Sequence, residues 1–243
     1  MIKVALISGG SRGIGRAIAI RLASEGIHVI INYLKNEDAA RDTLDQIKKE
    51  GGSAELMQFD VSLYDEIEVA LNKWKKNNPD KTIQILVNNA GIRKDNLFVF
   101  MEKGQWHDVL STNLDSFYFL TRQVIQDMVL HKFGRIINIV SLSGEKGMAG
   151  QVNYSAAKGG LIAATKALAQ EVGKKNVTVN AVSPGFIQTD MTHDLDEAEL
   201  KRNIPMNRFG EADEVAHLVA FLVSERAGYI TGEVISINGG LYT

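Results

Sequence analysis

The sequence predicts an α/β protein: a doubly wound parallel sheet of about seven strands, with helices on both faces, in three layers α/β/α. Three observations carry this. Short apolar runs alternate with helical stretches along all 243 residues, the pattern of strands buried on both faces under crossover helices. The first apolar run leads through glycines into a helix, as at the start of a nucleotide-binding half. Each strand–helix pair takes about 25 to 45 residues, with no linker or low-complexity segment between pairs, so residues 1–243 read as one domain.

Taken in order, Val4–Ile7 is a strand that ends in Ser8-Gly9-Gly10-Ser11-Arg12-Gly13-Ile14-Gly15. Ile14, Ala17, Ile18 and Leu22 then mark one face of a helix that stops at Glu25-Gly26. Residues 27–32 are a buried-type strand, and 37–50 a polar helix with Leu44 and Ile47 on its inner side, broken by Gly51-Gly52. A strand at 54–59, a helix at 63–76 and a strand at 83–87 follow. Trp106, Val109, Leu110, Leu114, Phe117, Leu120, Val124 and Met128 form an apolar stripe at helical spacing, which predicts one long helix over 105–131. After a strand at 135–140, a helix rich in alanine and free of proline runs from 151 to 171. Strand 177–182, helix 211–223 and strand 233–237 close the chain. The irregular region, 184–208, holds two of the three prolines and has the length of a loop that covers a ligand.

Composition excludes several functions. Lys and Arg number 27 against 29 Asp and Glu, a net charge of −2, which offers nothing to nucleic acid or an anionic membrane. Without cysteine there is no disulfide, thiolate nucleophile or cysteine-bound metal. No run approaches the ~18 apolar residues of a membrane span, and the N-terminal apolar run is too short for a signal peptide, so a soluble, cytoplasmic protein is expected. The five histidines, His28, His107, His131, His193 and His217, form no metal-ligand spacing and stand where none would activate a nucleophile.

The chemistry-bearing residues fall at strand ends. Gly9-x-x-x-Gly13-x-Gly15 differs from the general G-x-G-x-x-G fingerprint, yet it sits between the first strand and helix, where glycines let a pyrophosphate approach backbone N–H groups. At the end of the second strand an NAD site places a carboxylate for the ribose hydroxyl. This chain has Asn32 and Tyr33 there, with Arg12 and Lys35 nearby, which favours NADP; the plain alternative is that both cations are merely solvated. Asp60 could accept from the adenine amino group, precede the next helix as part of its N-cap region, or do both. Asn88 and Asn89 end the fourth strand, Ser141 the fifth. Asn113 lies within an apolar stripe, so its amide needs partners; it either braces backbone carbonyls or holds a water, and taken alone bracing is favoured. Tyr154 and Lys158 are four apart on one helix face. Such a pair is usually a solvated surface feature, but a fixed ammonium beside a phenol would lower the phenol's pKa and ready it as a proton donor.

The Gly9-Gly13-Gly15 turn, Asn88-Asn89-Ala90-Gly91, Asn113, Ser141, Tyr154-x-x-x-Lys158 and Pro184-Gly185 occur in one order over essentially the whole chain. Together they resemble the short-chain dehydrogenase/reductase family, whose fold is of the Rossmann type; Ser8 departs from the family's usual threonine but keeps the hydroxyl. Within the family, Asp95-Asn96-Leu97, residues 134–138, residues 150–154 and Ile237-Asn238-Gly239-Gly240 are similar to the branch that reduces 3-oxoacyl groups on an acyl carrier protein, in fatty acid, aryl-polyene or polyketide biosynthesis.

The resemblance implies a catalytic set of Asn113, Ser141, Tyr154 and Lys158. Tyr154 gives the proton, Lys158 lowers its pKa and holds the nicotinamide ribose, Ser141 orients the carbonyl, and Asn113 holds a water. NADP(H) would lie along Gly9, Ser11, Arg12, Gly13, Ile14 and Gly15, then Asn32, Tyr33, Asp60, Val61, Asn89, Ala90 and Gly91. Tyr154, Lys158, Pro184, Gly185, Ile187 and Thr189 would complete its site, under a mobile substrate lid at 191–203, within 186–208. It further implies docking of an acidic acyl carrier protein on Lys132 and Lys175, and a homotetramer with the Asn113 and Tyr154 helices in one interface. Two alternatives stand beside this reading: an NADP(H)-dependent dehydrogenase of another secondary alcohol (sugar, steroid or small ketone), and a non-catalytic NADP-binding regulator.

Overall fold

The computed structural model describes residues 2–190, 192 and 196–243. Seven strands form one sheet: β1 (Val4–Ile7), β2 (His28–Tyr33), β3 (Ala54–Gln58), β4 (Ile83–Asn88), β5 (Gly134–Ile139), β6 (Val177–Pro184) and β7 (Val234–Ile237). Their order is β3-β2-β1-β4-β5-β6-β7 and every pairing is parallel, as the alternation predicts.

Side-chain alternation along the strands divides the core in two. Ala5, Ile7, Val29, Ile31, Val87 and Ile137 face one way, against α1 (Gly13–Ser24), α2 (Glu37–Lys49) and α9 (Ala212–Val223). Val4, Leu6, Ile30, Leu86, Ile136 and Val179 face the other, against α3 (Tyr64–Asn77), α5 (Ser116–Leu130) and α7 (Val152–Val172). Burial on both faces explains why β1 reads as a continuous apolar run rather than an alternating one.

One prediction needs correction. The helix expected over 105–131 is two helices, α4 (Lys103–Leu110) and α5, joined by a π-helical turn at Ser111–Asp115. Asn113 lies in that turn, and its Nδ2 donates to Val109 O at 2.8 Å and Ile92 O at 2.9 Å. A widened turn leaves a carbonyl without its usual partner, and here the Asn113 amide supplies one.

Two short helices complete the set of α-helices among the described residues: α6 (Leu142–Lys146) after β5, and α8 (Glu197–Leu200) in the loop after β6. Among the described residues no helix is long and apolar enough to cross a membrane. Strand order reverses between β1 and β4, so their carboxyl ends open a crevice at the switch point of the sheet.

Candidate active site

The wall of that crevice starts at the turn after β1. Gly9 and Gly13 have φ of +62° and +53°, which L side chains rarely adopt, and a β-carbon on Gly15 would lie 2.2 Å from Gly9 O. The glycines therefore let the turn fold onto itself and bring it against the start of α1. Ser8 clamps the turn to β4: its Oγ accepts from the backbone N–H of Asn89 at 2.9 Å and of Ala90 at 3.0 Å. Asn89 Nδ2 answers by donating to Ser8 O and Gly9 O. The Ser8 hydroxyl thus fills the place expected of it.

Asn32 has a bracing role as well. Its side chain is buried; Oδ1 accepts from Gly9 N at 3.1 Å and Nδ2 donates to Phe59 O at 3.0 Å. It braces the glycine turn between β2 and β3 and also borders the cleft. Arg12 is two-thirds exposed, with Nη1 3.4 Å from Asp190 Oδ2. Asp60 Oδ1 accepts from both the N–H and the hydroxyl of Ser62, a local turn leading into α3, whose N-cap is Leu63.

The other wall comes from β5, α6 and α7. Lys158 is 3% exposed, and its Nζ donates to Ile139 O at 2.9 Å. The ammonium stands 5.6 Å from the centre of the Tyr154 ring, and the Ser141 hydroxyl is near enough to the Tyr154 phenol to favour its ionised form. Asn113 Oδ1 is buried without a partner among the described residues. It points at Gly91, where a β-carbon would sit 2.5 Å from it and 3.6 Å from Lys158 Nζ, so Gly91 lets the amide oxygen stand beside the ammonium.

The electrostatics reverse one expectation. Burial pushes the Tyr154 phenol above its ordinary pKa, and a nearby Arg93 and the Ser141 hydroxyl only partly oppose this. Burial also lowers Lys158 from 10.5 to about 8. Spacing had suggested a cation pulling the phenol down. Instead desolvation, which disfavours each charged form, is the largest influence on both groups.

These walls enclose a cleft of about 800 Å³, bordered by every expected cofactor residue and by Ser141, Tyr154 and Lys158, while Asn113 stands behind. A cleft this size, with a glycine turn at one end, fits a dinucleotide. Ser143, Met148, Gln151, Ile92 and Arg93 also border it and were not among the expected site residues; for Gln151 the signals were its place just before the Tyr154 helix and its membership of the 150–154 segment that carries the resemblance. Of the lid region, Met191, His193, Asp194 and Leu195 lie outside the described residues. The neck of that region is closed by Phe186 stacked on Phe209 at 5.2 Å and by Gly210 N donating to Phe186 O at 2.9 Å.

Lys132 and Lys175 are not at the cleft. They flank the starts of β5 and β6, where Asn176 Nδ2 donates to Lys132 O at 3.1 Å. Six residues of β5, about 20 Å of strand, separate that edge of the sheet from Ser141.

Fold and cleft together define a dinucleotide-binding α/β protein with a hydroxyl, a phenol and an amine converging beyond the glycine turn. A family profile described as Enoyl-(Acyl carrier protein) reductase matches residues 9–242, and the chain belongs to the short-chain dehydrogenase/reductase family. It is 42% identical over 245 residues to the 3-oxoacyl-(acyl-carrier-protein) reductase FabG of Staphylococcus epidermidis, covering 100% of both chains. The enzyme of the same name from Pseudomonas aeruginosa is 45% identical over 243 residues, 99% of this chain and 97% of that one. The acetoacetyl-CoA reductase of Shinella zoogloeoides is 46% identical over 246 residues, 100% and 99% of the two chains.

Proposed function

We propose that the protein is a cytoplasmic NADPH-dependent reductase that converts a 3-oxoacyl thioester on an acyl carrier protein to the 3-hydroxyacyl thioester. The observation that carries the chemistry is the meeting of the Ser141 and Tyr154 hydroxyls in front of a buried Lys158. The substrate class follows the names of the full-length relatives.

A nicotinamide held along the cleft would supply the hydride for C3 of the 3-oxoacyl group, and the chain's own residues would act on the carbonyl oxygen that receives the electron pair. Ser141 donates to that oxygen and holds it against Tyr154. Burial keeps the phenol protonated near neutral pH, so the proton is in place to pass to the oxygen. The phenolate left behind is stabilised by Ser141 and Lys158. Lys158, with a pKa near 8, is suited to return a proton, and the unpartnered Asn113 Oδ1 is an acceptor for a water on the way to solvent. Arg12, with no carboxylate ending β2, favours a 2′-phosphate. We assign a homotetramer with α5 and α7 in one interface: Ala156 and Ala163 of α7 and Tyr118 and Leu130 of α5 are exposed.

The test is oxidation of NADPH and NADH with 3-oxoacyl thioesters, free and carrier-bound, beside an enoyl thioester and sugar, steroid and simple ketones. Turnover of the 3-oxoacyl thioesters with NADPH is expected. Brisk turnover of a sugar or steroid ketone without thioester activity would replace the substrate, and no turnover of any would favour a binding regulator. Tyr154→Phe should lower kcat by roughly 10²–10⁴ with NADPH binding intact; an active variant would remove the proton-donor role.

A further inference from the structure

The last residue before α7 carries its side chain away from the helix it precedes. Gln151 occupies the N-cap position of α7, yet its side chain caps nothing. It is 6% exposed, as is Ser143. Gln151 Nε2 donates to Asp95 Oδ2 at 2.8 Å, and Gln151 Oε1 accepts from Ser143 Oγ at 2.8 Å. The directions are fixed by chemistry: an ionised carboxylate only accepts, so the amide nitrogen must face it and the amide oxygen must face the serine. Ser143 is thereby held with its backbone N–H aimed at Ser141 Oγ, 3.2 Å away. With that donor on one lone pair, Ser141 is left with its proton and its other lone pair for the cleft, where Tyr154 stands.

From this chain of bonds we infer that Gln151 is a positioning residue for Ser141, anchored by Asp95, which fixes the hydroxyl that orients the reacting carbonyl. The link joins segments 56 positions apart in sequence, the loop after β4 and the loop after β5, so both walls of the cleft near Tyr154 move together. The inference rests on the reductase reading and concerns kcat rather than cofactor affinity. Gln151 acts through Ser143 and Ser141 and touches neither the hydride path nor the glycine turn.

The experiment uses the full chain with NADPH and a 3-oxoacyl thioester that the wild type reduces. Gln151→Leu removes both bonds and should lower kcat roughly tenfold, as small misplacements of a catalytic group do, with KM for NADPH and the melting temperature close to wild type. Gln151→Glu places two carboxylates face to face and should lower kcat similarly. Adding Asp95→Asn to Gln151→Glu rebuilds the chain with its polarity inverted, since the new amide can donate to the new carboxylate. That double variant should return to within about threefold of wild type.

A packing role would not be rescued by such an exchange, so failure of the double variant to recover, with NADPH binding and melting temperature unchanged, overturns the inference. So does a Gln151→Leu kcat within twofold of wild type. A wild type that reduces no 3-oxoacyl thioester refutes the functional reading itself, and the positioning role falls with it.

Discussion

Lys158 shows how the site works against the stability of the fold. Its amine is buried, and its pKa falls from 10.5 to about 8 because the interior disfavours the charge. Below pH 8 the amine is protonated in folded and unfolded chains alike, and the desolvation cost is felt in full. Between pH 8 and 10.5 the unfolded chain keeps a proton that the folded chain has released, so stability rises with pH across that window. Lys158→Met should therefore be more stable than wild type at pH 7 by about 2 kcal/mol, the shift less the lost bond to Ile139 O. Urea titrations should show the difference narrowing by about 1 kcal/mol between pH 7 and 9; an unchanged difference would mean that the amine is not desolvated as the geometry implies. The Tyr154–Lys158 pairing was legible from spacing because a helix puts residues four apart on one face. The sign of the phenol's shift was not, since it depends on burial that only the packed fold defines. Gln151 was missed for a related reason: its partners come from other loops, and nothing in a single stretch shows that Asp95 will lie 2.8 Å away.

At the scale of elements, the site depends on holding the end of β1 against the end of β4. Ser8 does this with one hydroxyl that accepts two backbone N–H groups in a position 1% exposed. Ser8→Ala leaves both part-buried donors without their acceptor and should cost roughly 1–2 kcal/mol, with weaker NADPH binding because the glycine turn loosens. Ser8→Thr keeps the hydroxyl and should cost less than half of that; equal losses in chemical denaturation would show that volume, not the bond, matters. The seven strands and most helices were readable because apolar runs and amphipathic stripes survive in the sequence wherever the sheet is covered on both faces. The π turn at Ser111–Asp115 was hidden. One extra residue rotates later side chains by about 100°, which is within the width of an apolar stripe, so the pattern runs on while the backbone changes.

At the scale of the whole molecule, the proposed docking cations and the proton donor lie at opposite edges of the sheet. Lys132 and Lys175 flank the amino ends of β5 and β6, whereas Ser141 and the Tyr154 helix follow β5's carboxyl end, about 20 Å further along the strand. Neither lysine was misread as charge, since both belong to the chain's exposed basic complement; only the three-dimensional path of β5 separates them from the cleft. If these lysines receive an acidic carrier, a tethered acyl group would have to travel the depth of the sheet to reach its own subunit's tyrosine. In the proposed tetramer a neighbouring chain's cleft would be the alternative destination, with the exposed Leu130 at the end of α5 close to Lys132 in sequence. Lys132→Glu combined with Lys175→Glu should then raise KM for carrier-bound substrate severalfold, since each lost cation removes a long-range attraction, and leave the rate with a free thioester unchanged. Light scattering of the same samples should report a tetramer, and the carrier effect should fade as dilution separates the chains. A monomer at micromolar concentration that nevertheless discriminates carrier-bound substrate through these lysines would break the connection between docking and assembly. Equal rates for wild type and the double variant on carrier-bound substrate would remove Lys132 and Lys175 from the docking surface altogether.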